Sequence, residues 1–437
     1  TLITRYVGAP TATISIEAGA NEGTFYNLHK LWKRHIKLGS NIEVINNYRN
    51  NGSGYLKADG NNITIGGNWY TKANRYVTFK GGTGKVIFNG SSAQTIRIPT
   101  EAKSFADFTN VQISNPNVSL IDLSKDLKLS GTLTIDSGAT LDINGNDLTD
   151  ATLVNNGNLQ LQGGETVDIT MDTDSGTVTY DGTGTYTQLA AGDNYYNLTL
   201  NSSGSIALDA NLDVNGNLTI TDGTLDVSTD NRSINVAGNW SNNDTFISRS
   251  GTVTFDGSST VTTGGVADTN DFHHVILSGS GTSATQSTNA IDIDGDFTIS
   301  SSGTWDTSNL CMYVGGTTTT GSGTLTNAVA TLSSSSPADG ATGVSDTANI
   351  VLTFSEAVDV ESGNIVIKKT SDDSTVETID VTGSLVTGTG TTTITINPSA
   401  TLASSTGYYL TIATTAFDDS SSNSYAGISD ATTLNFT

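Results

Sequence analysis

Residues 212–236 read LDVNGNLTITDGTLDVSTDNRSINV. Leu212-Asp213-Val214, Leu218-Thr219-Ile220, Leu225-Asp226-Val227 and Ile234-Asn235-Val236 each alternate apolar with polar residues, and Asn, Gly and Asp stand between them. A period of two broken by turn residues is the pattern of short half-buried strands. No sustained 3.6-residue pattern occurs in the chain, so helix is expected to be nearly absent.

The same stretch belongs to a repeat. Gly84-Lys85-Val86-Ile87-Phe88-Asn89-Gly90 returns as Gly176-Thr177-Val178-Thr179-Tyr180-Asp181-Gly182 and as Gly251-Thr252-Val253-Thr254-Phe255-Asp256-Gly257. A second marker, Phe25-Tyr26-Asn27-Leu28, returns at Phe108, Tyr195 and Phe272, and Gly-Asn-Trp occurs at Gly67-Asn68-Trp69 and Gly238-Asn239-Trp240. Repeated units of short strands bury their apolar edges by stacking on one another. The expected fold is therefore all-β, a parallel β-helix (β-solenoid) followed by a C-terminal Ig-like β-sandwich. Its divisions are residues 1–24 as a partial repeat or extended segment, repeats at 25–107, 108–194, 195–271 and 272–332, and a separate domain at 333–437.

That last domain follows the linker-like run Ser333-Ser334-Ser335-Ser336-Pro337. The stretches SPADGATGV (336–344), LTFSEAVD (352–359) and INPSATLASSTGYYLTI (396–412) closely resemble the bacterial Ig-like domain of S-layer and other surface proteins. The resemblance implies a β-sandwich and an extracellular structural or adhesive role. Where that family usually has an Asp-x-x-Gly-Asn turn, this chain has Asp418-Asp419-Ser420-Ser421-Ser422-Asn423. More loosely, the repeat region is similar to the Gly-Asn-Trp repeats of large secreted bacterial proteins.

Composition narrows the setting. The chain has 437 residues, a net charge of -24, 14% charged residues and one cysteine, Cys311. A lone cysteine excludes an intrachain disulfide and a multi-Cys zinc site. No apolar run approaches the length of a membrane helix, so no membrane span is expected. Residues 1–128 carry +7 and residues 129–437 carry -31. The basic stretch from His29 to Lys37 could suggest nucleic acid, but the summed acidic field opposes phosphate binding and no nucleic-acid partner is expected. Lys30, Lys33, Arg34 and Lys37 instead read as an electrostatic contact to the acidic body of another subunit, or as a solvated basic face.

Few residues point to chemistry. Asp292, Asp294 and Asp296 read as three carboxylates on one strand face, where they could hold Ca²⁺; no other cofactor is implied and none is required. His273 and His274, being adjacent, would point to opposite faces of a strand and make no bidentate site, and they are expected at a surface or turn position. Trp69 and Trp240 occupy equivalent repeat positions and read as packing residues, and the sequons at Asn197, Asn217 and Asn239 read as chance in an Asn- and Thr-rich chain. Thr13, Ile14, Ser15 and Ile16 form an N-terminal strand that could complete a neighbouring subunit by β-augmentation. The expected function is a secreted structural subunit of a bacterial or archaeal cell surface, extracellular and not an enzyme. It would assemble with itself, head to tail, into a filament or surface layer, with cell-surface polysaccharide as a further candidate partner. The alternatives are a carbohydrate-active β-helix enzyme (polysaccharide lyase or hydrolase) and an adhesin or spacer segment of a longer surface protein.

Overall fold

The structure, a computed structural model, describes residues 2–3, 11–14, 23–30, 35–52, 54–71, 79–97, 106–121, 127–264, 272–300, 302–308, 310, 312–326, 329–419 and 423–437. The chain forms two compact units, residues 1–276 and 277–437. All regular elements among the described residues are strands.

The first unit is a parallel β-solenoid. On one face Leu28 pairs with Tyr48, Tyr48 with Trp69, and Trp69 with Ile96. Farther along the same face Val178 pairs with Leu198, Leu198 with Leu218 and Leu218 with Trp240. The step between coils runs from 18 residues (Leu141 to Leu159) to 27 (Trp69 to Ile96). Two further faces are built the same way in the early coils. One stacks Thr24–Phe25, Ile42–Val44, Ile63–Ile65, Lys85–Phe88, Asn110–Ile113 and Thr132–Ile135; the other stacks Thr11–Ile14, His35–Leu38, Leu56–Lys57, Phe79–Lys80 and Ala106–Asp107. Alternation does what the sequence pattern requires: in Ile42–Val44, Ile63–Ile65, Leu212–Val214 and Ile234–Val236 the outer two side chains are buried and the middle one is not.

Aromatic stacks fill the interior. Trp69 lies 4.2 Å from Tyr48, 5.1 Å from Phe79 and 5.3 Å from Phe108, ring centre to ring centre. Trp240 lies 4.9 Å from Phe246, 6.4 Å from Phe255 and 5.1 Å from Phe272. Both tryptophans are fully buried, as their equivalent repeat positions suggested. Tilted and edge-on contacts of this kind are the favoured aromatic geometries.

The corners are tied by asparagine ladders. Asn27 Oδ1 accepts from the Asn47 N–H (3.1 Å), Asn47 Oδ1 from Asn68 N–H (2.9 Å), and Asn68 Oδ1 from Thr95 N–H (2.8 Å). Asn197, Asn217 and Asn239 repeat the device, each accepting at 2.8 Å from a backbone N–H of the next coil, the last being that of Thr260 in the strand Ser259–Thr262. The three sequons are thus ladder rungs. Before Asn68 and Asn239 the glycine is forced by the same packing: a Cβ on Gly67 would stand 2.5 Å from the Asn46 carbonyl carbon, and one on Gly238 would stand 2.6 Å from Asn217 Oδ1. Gly-Asn-Trp therefore encodes one corner, with close approach, ladder rung and interior stack in consecutive residues.

The sequence repeat is not in phase with the coil. Asn27 leads into the strand Leu28–Lys30, whereas the aligned Asn110 opens the strand Asn110–Ile113, on a different face. Asn110 belongs to a separate ladder and accepts from Thr132 N–H at 3.0 Å.

The second unit holds further parallel strands, with Ala284 pairing with Trp305 and Trp305 with Leu325. It then changes to antiparallel pairing. A five-stranded sheet centres on Ile350–Val360, and a four-stranded sheet runs in the order Thr375–Asp380, Asn364–Lys369, Tyr408–Ile412, Asn435–Phe436. Their inner faces share a core that includes Leu352, Phe354, Ile365, Ile367, Leu410 and Phe417. Ser333–Ser336, read from sequence as a linker, lie instead in the strand Leu332–Ser336, which pairs antiparallel with Ile350–Val360.

Removing the interior stack should cost far more than removing a rung. Trp240→Ala is expected to lose about 3–5 kcal/mol and Asn217→Ala about 1 kcal/mol, read from urea unfolding followed by circular dichroism. A Trp240→Ala loss no larger than that of an exposed Thr→Ala change would contradict the packing described.

Candidate functional site

The N-terminal strand is part of the solenoid. Thr13 pairs with Lys37 and Ile14 with Leu38 of the same chain, as Leu2 and Ile3 pair with Leu28 and His29. A segment read as an extended connector is thereby docked on its own coil. Ser15 and Ile16 lie outside the described residues, as do Lys33, Arg34 and Cys311.

The basic patch is corrected by strand phase. Lys30 lies on an inward position of Leu28–Lys30 and is 2% exposed, so it cannot present charge to another subunit. Its Nζ donates to the Gly54 carbonyl at 2.5 Å, and burial pushes its pKa down to about 8. Lys37 is on the outside, where it pairs with Asp59 at 2.5 Å; Lys57 binds the other oxygen of the same carboxylate at 2.6 Å. These two lysines hold the Asp59 carboxyl below its ordinary pKa. Charge is matched here within the chain.

The proposed calcium ligands do not share a strand face. The strand ends at Ile293, so Asp292 is on it, while Asp294 falls in the bend that follows and Asp296 lies beyond that bend. Asp296 Oδ1 accepts from Thr317 N–H at 2.8 Å, the role asparagine plays in the ladders. Among the described residues no three His, Cys, Asp or Glu side chains converge as a metal site would require. His273 and His274 do not take opposite faces of one strand, but His273 is at a turn position, as the sequence also suggested. His273 sits in a bend just before the strand His274–Leu277, and the two rings meet edge to face at 4.4 Å.

Two features were missed by reading the sequence alone. Asp226 and Arg249, on successive coils, form a two-pronged ion pair at 2.6 and 2.7 Å. Arg249 holds the Asp226 carboxyl below its usual range, against the opposing effect of burial. These were two of many Asp and the few cations of the acidic region, and a 23-residue separation close to one coil was the available signal. In the sandwich, Asp419 accepts from Asn423 through both oxygens, from N–H at 2.9 Å and from Nδ2 at 2.8 Å. The turn that replaces the family's usual one is thus closed by a side-chain clasp. Glu356 is raised above the usual carboxylate range by burial and, second, by the charge of Asp419.

A family model described as bacterial Ig-like domain matches residues 326–437. The C-terminal sandwich is a bacterial Ig-like domain. No curated protein and no solved structure matches the chain. An Ig-like domain of this kind joined to a β-solenoid fits a bacterial surface protein. No helix among the described residues is long and apolar enough to cross a membrane.

Because the folded pKa of Asp226 is depressed, its stabilisation is fully present above the unfolded value of about 3.9 and is lost as pH falls below it toward the folded value. Arg249→Ala should cost up to about 1 kcal/mol at neutral pH, with the difference from wild type closing below the folded pKa in acid urea titrations. A difference that stays constant down to that range would show the pair contributes nothing. Millimolar CaCl₂ should leave the melting temperature unchanged in calorimetry; a rise of several degrees would show that the three aspartates bind after all.

Proposed function

We propose that the chain is a secreted structural protein of the bacterial cell surface that acts as a scaffold, not as a catalyst. The observation that carries this reading is how its polar groups are used. Several outer carboxylates and amides are engaged between coils: Asp226 with Arg249, Asp147 with the Thr166 N–H, Asp136 with Gln112, and the ladder asparagines with backbone N–H groups. A carbohydrate-cleaving site would need two carboxylates held about 5–10 Å apart and left to work on a substrate.

The finer form of this reading is head-to-tail assembly. Leu2–Ile3 and Thr11–Ile14 pair along one edge with the chain's own coils, and a parallel strand has a second edge of N–H and C=O groups that another strand can take. Assembly of this kind needs no ligand and no chemistry, which suits a chain whose interior is packed with apolar side chains.

Negative-stain microscopy of the intact chain and of a form lacking residues 1–24, with incubation on a panel of acidic and neutral polysaccharides, tests both parts. Filaments from the intact chain alone, with no cleavage, are expected. Monodisperse particles from both forms would remove the assembly reading, and release of reducing or unsaturated ends would remove the structural one.

A further inference from the structure

Leu28–Lys30 and Tyr48–Asn50 are neighbouring parallel strands, and their register sets Lys30 directly against Asn50. Both side chains are inside the coil, Lys30 at 2% exposure and Asn50 at 0%. They converge on one atom: Lys30 Nζ and Asn50 Nδ2 both donate to the Gly54 carbonyl oxygen, at 2.5 and 3.2 Å, so the two nitrogens lie within 5.7 Å of each other. Asn50 Oδ1 in turn accepts from the Gly52 N–H at 3.2 Å. A backbone donor on an amide oxygen is the arrangement that stabilises the negative charge developing there when the carbonyl carbon is attacked. The Tyr48 side chain is fully buried two residues from Asn50 on the same inward face, which helps to keep water from the pair.

A lysine is out of keeping with this position. The coil after Asn50 has Thr71 there, and the coil of Trp240 has Asn242, both neutral. Burying an ammonium costs far more than burying a hydroxyl or an amide.

We propose that Lys30 and Asn50 are the partners of an intramolecular isopeptide cross-link between adjacent coils. The neutral Lys30 amine attacks Asn50 Cγ and forms the new C–N bond, while Gly52 N–H holds the oxygen of the tetrahedral adduct. The Cγ–Nδ2 bond then breaks. Nδ2 leaves as ammonia with the proton that Nζ gives up, the two nitrogens being bonded to one carbon in the adduct. Nothing is oxidised or reduced, and the product is a secondary amide that closes a loop in a chain with no cysteine pair to do so. Burial favours the reacting form of the amine, whose pKa is lowered to about 8.

The test is the mass of the intact chain followed by peptide mapping. The wild-type chain is expected to be one ammonia lighter than its sequence, and its digest to contain a branched peptide joining residues 30 and 50. Lys30→Arg and Asn50→Ala should each restore the full mass and abolish that peptide. A full wild-type mass would overturn the proposal. So would an ammonia loss that persists in Lys30→Arg, since Asn51-Gly52 can lose ammonia by cyclising to a succinimide without any cross-link.

Discussion

The fold rests on a hydrogen bond between coils: an asparagine Oδ1 at a corner accepting the N–H of the residue stacked above it. Strands of a solenoid satisfy one another along each face, and at the corners the bend glycines still pair, Gly238 N–H with the Gly216 carbonyl at 2.8 Å, but the N–H of the asparagine that follows is met by a side-chain oxygen instead. An amide left without a partner there costs about 1–3 kcal/mol if water is excluded. The side-chain carbonyl of Asn197, Asn217 or Asn239 supplies the missing acceptor and passes the same need upward. Such a ladder also fixes register. A slip of one residue would leave the rungs empty and turn the apolar face outward.

The interior depends on those corners. Trp69 and Trp240 follow their rungs directly, so the ladder determines where the largest side chains enter the core, and Gly67 and Gly238 let the backbones come close enough for the rungs to reach. Gly-Asn-Trp was legible in the sequence as a signature, and the alternating strands and buried tryptophans followed from it. The role of its asparagine was hidden, because a ladder links residues about one coil apart and the sequence repeat spans several coils. Three sequons consequently looked like products of composition.

Other residues were misplaced for equally local reasons. His29 and Lys30 are adjacent charges-in-waiting in a basic stretch, yet strand phase puts one outside and the other in the core. Asp292, Asp294 and Asp296 alternate as strand residues do, but the strand ends at Ile293 and a corner intervenes. The serine run before Pro337 has linker composition and still forms a strand, because Ile350–Val360 offers it an edge to pair with. The Ig-like sandwich was the most legible part, since its motifs lie in unbroken stretches. The scaffold proposal draws on the inter-coil contacts of particular side chains: Asp226, Asp147 and Asp136 each hold one coil to the next.

Hydrogen exchange resolved to single amides tests the ladder most directly. The N–H groups of Asn217 and Asn239 lie in corners, where exchange is ordinarily fast, and each is accepted by a side-chain oxygen of the coil below. The account predicts that they exchange as slowly as the strand amides of Leu218 and Ile220. Exchange at the rate of open loops would mean that the corners are not tied and that the faces alone hold the coils together.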